Sequence, residues 1–210
     1  MGYDWKRLIY KTMKNYLYCY KMTWDTESAP NPHHGVLTLA ICKPTIRRCS
    51  QVGDWISGWT AKVVHGKNDR IYSFDNPKLI YLARVQKKLT FAEYWLQYPE
   101  KYPHEIKGMK SYDSGDNIYK PLVANPNNYN DYEQVDNNNH TKADIIHDLS
   151  GKYVLVCEEF YYYGVEDAID IEKEVFDVTV PRCKKLVLDD YDRFIRFIKN
   201  DKRVMIKGKI

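Results

Sequence analysis

No glycine-rich phosphate loop occurs in this sequence: neither G-x-G-x-x-G nor G-x-x-x-x-G-K-[ST] is found, which argues against a Rossmann or Walker nucleotide site. A G-x-S-x-G nucleophile elbow, an H-E-x-x-H helix and the H-x-E plus P-C-x-x-C pair of zinc deaminases are missing as well, so most familiar hydrolase classes are excluded. Nor is there any run near the roughly eighteen consecutive apolar residues that a membrane helix requires. Met1 to Tyr20 carries Lys6, Arg7, Lys11 and Lys14 with no apolar signal core, so a cytoplasmic chain, neither secreted nor membrane-inserted, is expected. The cysteines, Cys19, Cys42, Cys49, Cys157 and Cys183, are odd in number and form no C-x-x-C pair, which disfavours a disulfide framework and a zinc knuckle alike. Reduced thiols, most of them small buried hydrophobes, fit this usage.

What is present suits one folded domain: 210 residues, 44% hydrophobic and 29% charged, lie near globular averages. The net charge of +4 hides an asymmetry, because residues 1–67 hold 10 basic against 4 acidic side chains whereas residues 113–182 hold 5 against 15. Basic ends around an acidic middle are compatible with a phosphate-bearing partner. Nineteen tyrosines with five tryptophans and six phenylalanines supply aromatic faces on which bases can stack.

The periodicity predicts a helical extension over residues 1–15 (Trp5, Leu8, Ile9 and Met13 at helical spacing) ahead of a domain spanning residues 16–210. Tyr16, Tyr18, Tyr20, Met22 and Trp24 alternate as in a half-buried strand, and the Asp25 to Asn31 turn with Pro30 and Pro32 should stop it. Further strands are expected at Gly35 to Cys42, Trp55 to Thr60, Leu79 to Gln86 and Tyr153 to Cys157, the last one apolar enough to be covered on both faces. Gly53-Asp54 reads as a turn, and Arg47 and Arg48 as part of another. Thr90 followed by Glu93 is a capping box opening a helix to Leu96, and a C-terminal amphipathic helix is expected from about Leu188 to Asn200. Residues 99–142, rich in Asn, Asp, Pro and Tyr, read as a long irregular loop whose most pointed segment is Gly115 to Tyr119. The fold class is therefore α+β, a single domain with a mixed, mostly antiparallel twisted sheet or partial barrel, flanking helices and that loop.

Cys42-Lys43 with Arg47-Arg48 is the most suggestive cluster: nearby cations favour the thiolate, or they clamp a phosphate. His140, Asp144, His147 and Asp148 could share a helix face as metal ligands, but a capped, solvated segment accounts for them, and neither a metal nor a cofactor is assigned.

Six ordered blocks then carry a resemblance. Ala29-Pro30-Asn31-Pro32, Leu39 to Pro44 with Arg47, Gly53-Asp54-Trp55 with Gly58, Leu89-Thr90-Phe91 with Glu93-Tyr94-Trp95, Gly115 to Tyr119, and Val154-Leu155 with Phe160, Tyr162 and Gly164 resemble the nucleotide modification associated domain 2 family over about residues 16 to 200. The resemblance implies a bacterial or phage DNA modification or defence setting, without a demonstrated reaction. On these blocks the expected ligand contacts are Asn31, Cys42, Lys43, Arg47, Asp54, Trp55, Trp59, Asp116, Asn117, Tyr119, Phe160 and Tyr162. Two readings stay open: a binding module for a nucleotide or modified base, or an enzyme acting on one with Cys42 as nucleophile or Asp116 as general acid or base. An interaction protein without a small ligand is the third. The oligomeric state is not legible.

Overall fold

Strand β1 (Tyr16–Trp24) sets the architecture, because its alternating side chains serve two different cores. Tyr18, Tyr20 and Met22 point into one cluster, while Leu17 and Cys19 point into another on the opposite side of the sheet. The alternation predicts a half-buried strand, yet both faces are covered over its first half, since the C-terminal helix closes the second side. This computed structural model describes residues 15–107, 109, 113–177, 183–187, 191–204 and 206–208. The helical extension expected over residues 1–15 lies outside them except for residue 15.

The chain continues through β2 (Leu37–Leu39), α1 (Pro44–Cys49), β3 (Trp55–His65), β4 (Ile71–Ser73), β5 (Leu79–Arg84), β6 (Lys87–Thr90) and α2 (Phe91–Gln97). Then come β7 (Tyr119–Pro121), β8 (Tyr132–Gln134), α3 (Ile145–Leu149), β9 (Tyr153–Cys157), β10 (Glu159–Tyr162), β11 (Cys183–Val187), α4 (Asp192–Lys199) and β12 (Ile206–Lys207). The large sheet runs β11-β1-β3-β5-β10-β12 with β4 on β3, beside a small sheet β2-β9-β6 and the hairpin β7-β8. β1 and β3 pair in parallel, and the other described pairs are antiparallel. A parallel pair needs a crossover, and here residues 25–54, with β2 and α1, supply it.

The result is a mixed α+β domain in layers. α4 packs through Phe194, Ile195 and Ile198 on one face of the large sheet, and the small sheet packs Leu37, Leu39, Leu155 and Cys157 on the other. α2 and β7 cover the outer face of the small sheet through Phe91, Tyr94 and Tyr119. The described strands remain open sheets rather than closing into a barrel. No helix among the described residues is long and apolar enough to cross a membrane.

Several expectations need correction. The strand expected over Gly35 to Cys42 keeps only Leu37–Leu39, because Cys42 and Lys43 turn left-handed and leave the extended region. Arg47 and Arg48 sit on α1, a helix that Pro44 can open because its first-turn amides need no partner. Residues 99–142 contain the β7-β8 hairpin and short 3-10 turns, so that segment is only partly irregular. The C-terminal helix begins at Asp192, with residues 188–190 outside the description.

Candidate functional site

The β1-to-β3 crossover places a strained loop over a cavity. Cys42 (φ 59°) and Lys43 (φ 43°) are consecutive non-glycine residues in the left-handed region. Each such residue costs on the order of 1–3 kcal/mol and persists only where its surroundings hold it. Here Cys42 N–H donates to Asp148 Oδ1 at 2.7 Å, and Arg47 Nε donates to the Cys42 carbonyl at 2.7 Å. Arg47 is fully buried and also donates to the carbonyls of Tyr153 (2.9 Å) and Asp148 (2.6 Å), tying α1 to α3 and β9. The loop so held turns Cys42 and Lys43 toward a cavity of about 420 Å³. Its other walls are Met22 to Trp24 at the end of β1, Ser28-Ala29, and Asn138 to His140.

At the cavity floor, Cys42 Sγ lies 3.4 Å from His140 Nε2, which lies 3.4 Å from Asp148 Oδ2. Asp148 is buried, and its Oδ2 also accepts the Tyr119 hydroxyl at 2.8 Å. Burial, and next the Asp148 charge, push the Cys42 thiol up to about 11, against the opposing pull of Lys43 and Arg47. The expectation that neighbouring cations would favour the thiolate therefore fails, since desolvation and a carboxylate outweigh them. Burial also draws the Arg47 guanidinium down to about 10, opposed chiefly by Asp148, which leaves it a cation at neutral pH.

At the rim, Trp24 is 60% exposed and stacks on His65 with centroids 4.3 Å apart and planes 19° from parallel. Lys43 holds its ammonium 4.8 Å over the Tyr20 ring, and among the described residues no carboxylate forms an ion pair with it. A larger hollow of about 900 Å³ adjoins, sharing Trp24, Thr26, Asn138 and Asn139.

Of the ligand contacts expected from the sequence, Cys42 and Lys43 line this cavity. Asn31 lines the adjoining larger hollow and Tyr162 a separate small one, while the rest are interior. Asn31 Oδ1 accepts the Lys101 ammonium at 2.7 Å, and Asp116 accepts the hydroxyls of Tyr94 (2.6 Å) and Thr38 (2.7 Å). Asn117 donates to the carbonyls of Tyr94 and Tyr98. Asp54 closes its own turn by accepting the amides of Tyr16 and Gln51. Trp59 stacks on Phe176 within the α4 core, and Trp55 and Phe160 are buried in the faces of the large sheet. Arg47, Asn117 and Tyr162 are thus engaged in three internal networks rather than around one shared hollow. The sequence reading placed Trp24 at the end of a strand but left it, His65 and Asn139 out of the expected ligand contacts, and it grouped His140 and Asp148 with Asp144 and His147. Asp144 instead accepts the Thr141 amide, and the partner of His140 and Asp148 is Cys42, 98 and 106 positions away. Local spacing carries no signal for such a meeting.

Tyr162 donates to Asp25 Oδ1 at 2.7 Å, and Val165 N–H donates to Oδ2 at 2.7 Å. Burial nevertheless raises Asp25 to about 6, because desolvation exceeds the help of those two donors. A carboxyl whose folded value lies above its unfolded one stabilises fully below the unfolded value and loses that contribution as pH rises through the folded one. Between pH 4 and 7 Asp25 should therefore withdraw about 2 kcal/mol of stability. In urea titrations at both pH values, Asp25→Asn should abolish that part of the decline; equal declines in variant and parent would refute it.

The sequence model of a family described as nucleotide modification associated domain 2 matches residues 14–208 of the chain. No curated protein and no solved structure matches it.

Proposed function

We propose, from the premise that this chain belongs to the nucleotide modification associated domain 2 family, that the cavity over Cys42 and Lys43 binds a nucleotide or a modified nucleic-acid base. The observation that carries this reading is the lining, where an exposed indole stacked on His65 and an ammonium without an acidic partner among the described residues border the same cavity. An indole stacks on any base, and a cation attracts phosphate, so the pair suits a planar anionic molecule. The volume of about 420 Å³ suits a molecule of that size. Asn138 and Asn139 add amide groups to the wall that are chemically able to meet base edges. The proposed setting is DNA modification or defence in bacteria or phage.

The test is a titration of deoxynucleoside monophosphates, free nucleosides and short single-stranded DNA, followed by thermal stabilisation and by tryptophan fluorescence. Trp24→Ala should weaken binding by about 5- to 150-fold, the equivalent of the roughly 1–3 kcal/mol that one base stack contributes. Lys43→Ala should erase the preference for the monophosphate over the nucleoside. Absence of stabilisation by every probe, or an unaltered Trp24→Ala titration, would remove the reading and favour a protein that only engages other proteins.

One observation favours a second reading, an enzyme acting on the bound base. Cys42 and His140 meet at the cavity floor, so a nucleophile and an acid–base group are within reach of an occupant. Asp116, enclosed by Tyr94 and Thr38, is no longer the partner of choice in that reading. A Cys42→Ser variant that binds like the parent while losing turnover would favour the enzyme; weakened binding without any turnover in the parent would favour the module.

A further inference from the structure

Hydrogen bonding leaves the Cys42, His140 and Asp148 cluster unresolved. His140 Nε2 lies 3.4 Å from the Cys42 sulfur and 3.4 Å from Asp148 Oδ2, so both neighbours converge on one ring nitrogen. That nitrogen carries either a lone pair or a single N–H. With the lone pair outward it receives the thiol proton but abuts a carboxylate oxygen, acceptor against acceptor. With the proton outward it serves one neighbour and leaves the other unserved. The far nitrogen, Nδ1, is buried and has no hydrogen-bond partner, so neither tautomer satisfies the ring.

We propose that Cys42 Sγ, His140 Nε2 and Asp148 Oδ2 bind a divalent transition-metal ion, with zinc the best match. Each of the three residues offers a donor atom within 4.8 Å of the others, and the two contacts of 3.4 Å are already near ligand-to-ligand spacing. Around tetrahedral zinc, sulfur-to-nitrogen and nitrogen-to-oxygen edges come to about 3.6 Å and about 3.4 Å. One thiolate, one imidazole and one carboxylate form a mixed soft and borderline donor set that suits zinc rather than magnesium or calcium. The carboxylate is held by outer contacts of the kind that orient metal ligands: Tyr119 donates to Oδ2, the Cys42 amide donates to Oδ1, and Arg47 stands 3.8 Å from Oδ1. Binding displaces the thiol proton to solvent and forms the metal–sulfur bond with the pair left on sulfur. Cys42 and His140 line the cavity while Asp148 lies beneath them, so the fourth coordination position faces the cavity, where water or a group of the occupant completes the shell. The inference stands apart from the nucleotide reading, since it uses only these three side chains.

Cobalt titration of chelator-treated protein tests it. One equivalent should produce the visible bands of a tetrahedral site together with a thiolate-to-cobalt charge-transfer band, and zinc should displace both and raise the melting temperature. Cys42→Ala should lose the charge-transfer band. Cys42→Ala and His140→Ala should each weaken cobalt binding by more than the roughly 10–100-fold that loss of an outer-shell partner costs. Circular dichroism checks that both variants fold, and His147→Ala, an exposed neighbour, should bind as the parent does. The proposal is overturned if the parent binds no cobalt, if its spectrum lacks the thiolate band, or if both ligand variants bind unchanged, which would mark adventitious surface coordination. Failure here leaves the nucleotide titrations untouched, and their failure leaves the cobalt spectrum untouched.

Discussion

Arg47→Met is expected to lower the unfolding free energy by about 3–5 kcal/mol, read as a shift of the urea midpoint at an unchanged slope. The guanidinium is fully buried and donates to three carbonyls on different elements: Cys42 in the crossover, Asp148 on α3 and Tyr153 on β9. Methionine matches much of its volume but leaves those acceptors without donors, and leaves the buried Asp148 carboxylate without its cation. Arg47→Lys should recover only part of the loss, because a single ammonium cannot imitate a planar fork aimed at separate acceptors. Gly151→Ala should push in the same direction, since a Cβ there would stand 2.5 Å from Arg47 Nη1 and 2.6 Å from Cζ. The same variants should release Cys42 and Lys43 from their left-handed conformations and weaken the nucleotide binding proposed above, which would couple stability to the site. An unchanged midpoint for Arg47→Met would mean that the buried guanidinium contributes nothing net.

Lys101→Met is expected to have a comparable cost, about 3–5 kcal/mol at neutral pH. Its buried ammonium donates to the Asn31 carbonyl (3.1 Å), Asn31 Oδ1 (2.7 Å) and the Val36 carbonyl (2.9 Å), pinning the segment that leads into β2. Burial draws Lys101 down to about 8, with Asp116 the strongest opposing influence. A lysine whose folded value lies below its unfolded one binds fewer protons folded than unfolded between about pH 8 and 10.5, so its contribution to stability rises across that window. The deficit of Lys101→Met relative to the parent should therefore widen from pH 8 to 10, in denaturant titrations run side by side. A constant deficit would mean that Lys101 keeps an ordinary affinity for its proton.

These two residues show where a chain is legible and where it is not. β1 over Tyr16–Trp24, β9 over Tyr153–Cys157 and the capped start of α2 were all readable from the residues. Thr90 accepts the Glu93 amide while the Glu93 carboxylate accepts the Thr90 amide, an exchange complete within four residues. Arg47 and Lys101, by contrast, look like surface cations in a linear text. Both became interior because acceptors from distant segments surround them, and the same reversal took Asp116 and Asn117 out of the set of cavity contacts.

Short-range chemistry thus sufficed for the α+β class, the principal strands and the capped helix, because alternation, capping and turn preference act over a few bonds. Only the assembled fold decided which side chains line the cavity. Trp24 meets His65 across a parallel pair, and Cys42 meets His140 and Asp148 through a crossover and two loops. Burial then raised the thiol where its sequence neighbours Lys43 and Arg47 would lower it, since desolvation is set by everything packed upon a side chain and cannot be read from adjacent residues.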